Sequence, residues 1–150
     1  MIRGVFFIAS KTDNILGEIF KDLDVKKYHW YNIENQNEVY CAPFGDRTFT
    51  FNVCDGKTFL SHINSEHYVI FIKLQAYLKD GVFSYIHTYE DFFVSDCQLL
   101  LLIYDCKYVE VFTKDETLAK TIYESASKNS CEEIEYITES NYYRKKMDVL

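Results

Sequence analysis

The chain opens on a short apolar run, Ile2 to Ala9, that has the length of a strand. The next apolar positions, Ile15, Leu16, Ile19, Phe20 and Leu23, recur at helical spacing, and Thr12 or Asp13 stands where a cap is needed. Gly17 lies inside that helix at a cost of about 1 kcal/mol relative to Ala, which points to close packing against a sheet. The run Tyr28-His29-Trp30-Tyr31-Asn32-Ile33 has strong strand propensity, and Asn35-Gln36-Asn37 supplies a turn. Val39 to Ala42 reads as a short strand closed by Pro43. Beyond Gly45-Asp46, the residues Phe49, Phe51 and Val53 alternate with Thr48, Thr50 and Asn52, the period of a half-buried strand.

Asp55-Gly56 breaks that segment, Phe59, Leu60 and Ile63 suit a short helix, and Tyr68 to Leu74 reads as a central strand. Thr88-Tyr89-Glu90-Asp91 fits a capping box, so Phe92 and Phe93 fall on another short helix. Leu99 to Tyr104 is a continuous apolar strand, Asp105-Cys106-Lys107 a tight connection, and Tyr108 to Phe112 its partner. Asp115 caps a helix carrying Leu118, Ala119, Ile122, Tyr123 and Ala126, and Ile134 to Ile137 makes a last strand. Strands joined by short turns and interrupted by three or four helices predict an α+β domain with a mixed, largely antiparallel sheet. With no repeat and no linker, residues 1–150 form a single globular domain, with a flexible tail expected from about residue 140.

Composition narrows the class. With 150 residues, one Pro, five Gly and 17% aromatic residues, the chain is long enough for a core and too aromatic for disorder. No apolar run approaches the roughly 20 residues of a membrane-spanning helix, so no membrane role is expected. Five Cys without a CxxC pair, and no leader-like amino terminus, imply reduced thiols and a cytoplasmic location. A net charge of -7 disfavours nucleic acid, whose phosphates demand a basic face. The charge is uneven: residues 115–139 hold seven acids against Lys120 and Lys128, and the tail reverses sign with Arg144, Lys145 and Lys146.

Catalytic motifs are largely missing. Gly56-Lys57-Thr58 resembles the end of a phosphate-binding loop, but the first glycine of that motif would fall at Phe51. His29, His62, His67 and His87 lack the spacing of a metal set with Cys41 or Cys54, so no metal and no cofactor is expected. A Cys/His nucleophile pair is left open, because such partners meet in space rather than in sequence; Cys97 and Cys106, which bracket the apolar strand, read as small buried hydrophobes. Asp22, Asp24, Tyr28, Trp30 and Tyr31 form the leading constellation suited to an interface, with Tyr142-Tyr143 before Arg144 as a second contact point. Trp and Tyr bury large rigid area with a polar handle, and adjacent acids favour a basic partner. The structural alternative is a strand whose aromatics alternate, with Tyr28 and Trp30 on one face and Tyr31 on the other.

Arg3-Gly4-Val5, Leu16-Gly17-Glu18-Ile19, Tyr28 to Tyr31, Ser95-Asp96-Cys97 leading into Leu99 to Leu102, and Glu135-Tyr136-Ile137-Thr138 together resemble a family of small uncharacterised proteins from Bacillus-type Firmicutes, a domain of unknown function. The resemblance implies a bacterial cytosolic protein of one domain and carries over no catalytic residue, ligand or partner. Function therefore rests on the bulk features. They favour a non-enzymatic acidic protein of the immunity or inhibitor type that binds a basic protein partner. The alternatives are a binder of a nucleotide-like small molecule and an enzyme with a Cys/His site.

Overall fold

Leu99 to Ile103 show why the chain needs two layers of cover. All five are fully buried, but Leu99, Leu101 and Ile103 join one apolar core while Leu100 and Leu102 join another. A strand buried on both faces has no polar alternation to show, so it reads as a continuous apolar run. A computed structural model describes residues 1–41, 46–47 and 51–150. It contains β1 (Ile2–Ile8), α1 (Ile15–Phe20), β2 (Tyr28–Cys41), β3 (Asp46–Arg47), β4 (Val53–Cys54), α2 (Gly56–Asn64), β5 (His67–Leu78), α3 (Tyr89–Val94), β6 (Cys97–Tyr104), β7 (Tyr108–Thr113), α4 (Glu116–Lys128) and β8 (Glu132–Thr138). These form a single α+β domain around one sheet, ordered β3-β2-β5-β6-β7-β1-β8, with β4 also on β2. Every pairing among the described residues is antiparallel. Of the alternation expected over residues 48–53, residues 48–50 lie outside the described residues, and of the rest only Val53 falls on a strand, β4.

The first face is covered by α1, α2 and α4, whose Leu16, Phe20, Phe59, Ala119 and Ile122 pack on Val5, Trp30, Leu74 and Val111. Gly17 does allow a close approach, though to a helix: an added Cβ would lie 3.0 Å from the Ile63 carbonyl oxygen of α2. The cap of α1 is neither Thr12 nor Asp13. Asn14 starts the helix in the left-handed region, its side chain accepts from the His67 amide at 2.9 Å, and the Leu16 amide donates to His67 Nε2 at 3.1 Å. His67 Nδ1 lies 2.7 Å from the Ser65 carbonyl, so the neutral ring carries its proton on Nδ1 and accepts at Nε2.

Burial holds His67 below the ordinary histidine value, against the smaller opposing pull of the Ser65 carbonyl. A folded-state pKa below the unfolded one gives stability that is complete above the unfolded value and lost as pH falls below it. Urea midpoints are therefore expected to fall between about pH 7.5 and about pH 5.5. An equal fall in His67→Gln would remove this histidine as the cause.

The second face is closed by residues 79–96, which include α3, and by the carboxy-terminal segment. Ile86, Phe92 and Met147 pack on Tyr77, Leu100, Leu102 and Phe112. The capping box of α3 is formed as expected, with the Asp91 amide donating to Thr88 Oγ1 at 3.1 Å and the Thr88 amide donating to Asp91 Oδ2, also at 3.1 Å.

The tail is seated rather than frayed. Met147 is fully buried, its amide donates to the His87 carbonyl at 2.8 Å, and Arg144 grips Glu110 through Nε at 3.2 Å and Nη2 at 2.7 Å. The Val149 amide donates to Gln36 Oε1 at 2.7 Å. Gln36 is available because the turn expected at residues 35–37 is a bulge inside β2. Asn32 pairs with Leu74 and Asn37 with Ile72, Asn35 has φ 64°, and the strand then resumes. Under the tail lies Lys73, 1% exposed, whose ammonium donates to Asp148 Oδ1 at 2.7 Å and to the Ile86 carbonyl.

Candidate functional site

The end of β1, the inner side of α1 and the carboxy-terminal turn of α4 enclose a cleft of about 420 Å³. Its floor is apolar, from Phe7, Ile15, Ile19, Ile122 and Ala126, for a local reason. Ile122, Ser125 and Ala126 share the inward side of α4 by their three- and four-residue spacing. Where α4 stops, the chain turns through Ser130 at φ 59°, with the Cys131 amide donating to the Ala126 carbonyl at 3.1 Å and Ser130 to Ser127, also at 3.1 Å. This is a Schellman termination with serine at a position that usually holds glycine. It presents the Asn129 carbonyl to Ser10, whose hydroxyl donates to it at 2.7 Å.

The polar wall is mostly satisfied. Asn129 Oδ1 accepts from Lys21 Nζ at 2.8 Å, and Lys21 lies 3.7 Å from Glu18. Ser125 is the exception. It is 3% exposed, lines the cleft, and its hydroxyl has no hydrogen-bond partner. A helical serine or threonine commonly bonds back to the carbonyl four residues earlier, as Thr121 does to Thr117 at 3.0 Å, and Ser125 does not. An unsatisfied buried hydroxyl costs roughly 1–3 kcal/mol. Ser125→Ala is therefore expected to raise the urea stability of the unliganded protein; a loss of stability would show that the hydroxyl finds a partner within the fold. Beside the cleft, the β1–β8 register shifts between Phe6 and Ile8, and Glu133 has φ 51°. Such bulges re-aim chains next to sites.

A model of the family DUF2691, proteins of unknown function, matches residues 2–148. The chain belongs to this family. It is 28% identical over 153 residues, 99% of this chain and 100% of the relative, to the uncharacterized protein YncE of Bacillus subtilis (strain 168). No solved structure matches the chain.

In this DUF2691 domain the five residues expected at an interface do not share a surface. Trp30 is 1% exposed, stacks on Phe59 with centroids 4.0 Å apart and an interplanar angle of 8°, and donates from Nε1 to the Val25 carbonyl at 2.9 Å. Tyr28 is buried beside it, edge-on at 6.0 Å. Tyr31 points to the opposite face and stacks on Phe83 at 4.4 Å. Asp22 and Asp24 are exposed on the turn after α1. The alternation of a strand buried on one side and covered on the other separates them.

The thiols give little support to a nucleophile. Burial pushes Cys97 up to about 12 and, with Asp55 adding to it, Cys54 up to about 11, which holds both as neutral thiols. Cys131 lines the cleft with its sulfur 4.0 Å from Ser10 Oγ, and no histidine lines the cleft with it. Among the described residues, no group of three His, Cys, Asp or Glu could hold a metal, and no helix is long and apolar enough to cross a membrane. The sequence reading missed Ser10, Ser125, Asn129 and Cys131. The available signal was Ser125 itself, a hydroxyl set three residues after Ile122 in an otherwise apolar stripe.

Proposed function

We propose that the protein binds a small, largely apolar molecule in the cleft between β1, α1 and α4. The observation that carries this reading is a cleft with an apolar floor and the partnerless hydroxyl of Ser125 in its wall. A cleft of about 420 Å³ falls within the size range of small-molecule sites, and an apolar floor with a few convergent polar groups is their usual chemistry. The aromatic, nucleotide-like pocket around Trp30 has no support, because Trp30 and Tyr28 are packing residues. The test is amide NMR during titration with N-phenyl-1-naphthylamine and with 1-octanol. Saturable shifts centred on Ala9, Ser10, Ser125, Ala126 and Cys131 are expected. Shifts confined to exposed Val82, Phe93 and Val94, or none, end the reading.

A second reading is the acidic protein that covers a basic partner, and one observation favours it. β8 pairs only with β1 among the described residues, and Glu132, Glu133 and Glu135 are exposed along it. An open edge can accept a partner's strand, and acids there select a basic one. A partner held at low salt and lost on changing all three glutamates to lysine would carry this reading. Retention by the triple variant would sink it.

A further inference from the structure

Resting on the cleft reading above, we propose that the cleft's ligand is a small amphipathic anion, a carboxylate, sulfonate or phosphate on an apolar body. Three charged side chains line the cleft: Lys11, Glu18 and Lys128. Glu18 is answered by Lys21 at 3.7 Å, and Lys21 is itself held by Asn129. Lys11 and Lys128 are exposed and take part in no ion pair among the described residues. In a protein whose net charge is -7, the cleft is thus bordered by two unanswered cations.

Lys128 also suits the negative end of α4, where a cation is favoured in its own right. Lys11 has no such role, lying between β1 and α1 beside Ser10. The ligand's apolar body rests on Ile15, Ile19, Ile122 and Ala126. The lysines offer charge to the ligand's anionic end from the rim. The selectivity is for charge on one end of the molecule; a neutral analogue of the same shape would keep only the floor.

The probes are 8-anilino-1-naphthalenesulfonate and N-phenyl-1-naphthylamine, which share a skeleton and differ by the sulfonate. In low salt the sulfonate is expected to bind roughly tenfold tighter, the combined effect of two solvent-facing charge contacts. Cleft amides should shift with both probes. In the Lys11→Gln, Lys128→Gln double variant the sulfonate's affinity should fall to that of the neutral probe, whose own affinity stays unchanged. Equal affinities in the native protein, or a preference that survives the double variant, overturn the anion assignment and leave the cleft reading standing. If neither probe shifts the cleft amides, the cleft reading falls and this proposal with it. Both lysines are exposed, so the variant keeps the fold, and far-UV circular dichroism checks that it does.

Discussion

Asp148→Ala is expected to destabilise the protein by about 3 kcal/mol, the lower end of the range for breaking a buried ion pair. Lys73 is 1% exposed on β5 and sits under the carboxy-terminal segment, so its ammonium has little water to turn to. Its partners are Asp148 at 2.7 Å and the Ile86 carbonyl; removing the carboxylate leaves a buried charge with one neutral acceptor. The effect stays at the lower end because the Asp148 side chain is 18% exposed and water can partly replace it.

Burial holds Lys73 below the ordinary lysine range, and Asp148 works against that shift. A lysine whose folded-state pKa is depressed gives stability that rises with pH between the folded and unfolded values. The deficit of Asp148→Ala relative to the native protein should therefore shrink as pH rises toward the lysine range. Taking the difference between the two proteins cancels tyrosine ionisation. Adding Lys73→Met to the variant should recover most of the loss in urea unfolding, since an apolar side chain of similar length needs no counter-charge. If Asp148→Ala alone unfolds at the native urea concentration, the pair is not what seats the tail.

Trp30→Ala is expected to cost about 3–5 kcal/mol, the usual loss for truncating a fully buried large aromatic. Trp30 joins helices to sheet: it stacks on Phe59 of α2, meets Phe20 of α1 edge-on at 5.1 Å, and ties its ring nitrogen to the turn at Val25. Trp30→Phe should cost less, keeping the stack and losing the hydrogen bond. Because the chain has one tryptophan, unfolding of these variants is followed by circular dichroism, while the native protein should show the blue-shifted emission of a dry indole. A near-neutral Trp30→Ala would return the residue to the surface role its neighbours Asp22 and Asp24 suggest.

The elements were legible where local pattern and local cause coincide. Asp115 with the stripe of α4, the Thr88 box of α3, and the Asp105-Cys106 turn at φ 49° and 67° are all short-range chemistry. Asn35 to Asn37 misled for an instructive reason. Their residue types favour a turn, and Asn35 and Gln36 do leave the ladder, but pairing with β5 at Asn32 and again from Asn37 keeps the chain in one strand. The tail was illegible because its side-chain anchors, Arg144, Met147 and Asp148, are isolated residues whose partners lie far off in the sequence, and together they form no pattern. The cleft was illegible because its walls come from β1, α1 and α4, more than a hundred residues apart at the extremes.

That β1 lies between β7 and β8 also sets an order of events. β6 and β7 are neighbours in sequence as well as in the sheet and zip together across the turn at residues 105–107, and β5 joins them through residues 79–96, loops far shorter than the one β1 must close. β1 has no sheet neighbour until residues 108–138 are in place, and closing so long a loop carries an entropic penalty that short hairpins escape. The first strand in the sequence is thus a late arrival in folding. Its side chains, Val5 and Phe7 among them, should speed unfolding when truncated and leave the folding rate almost untouched.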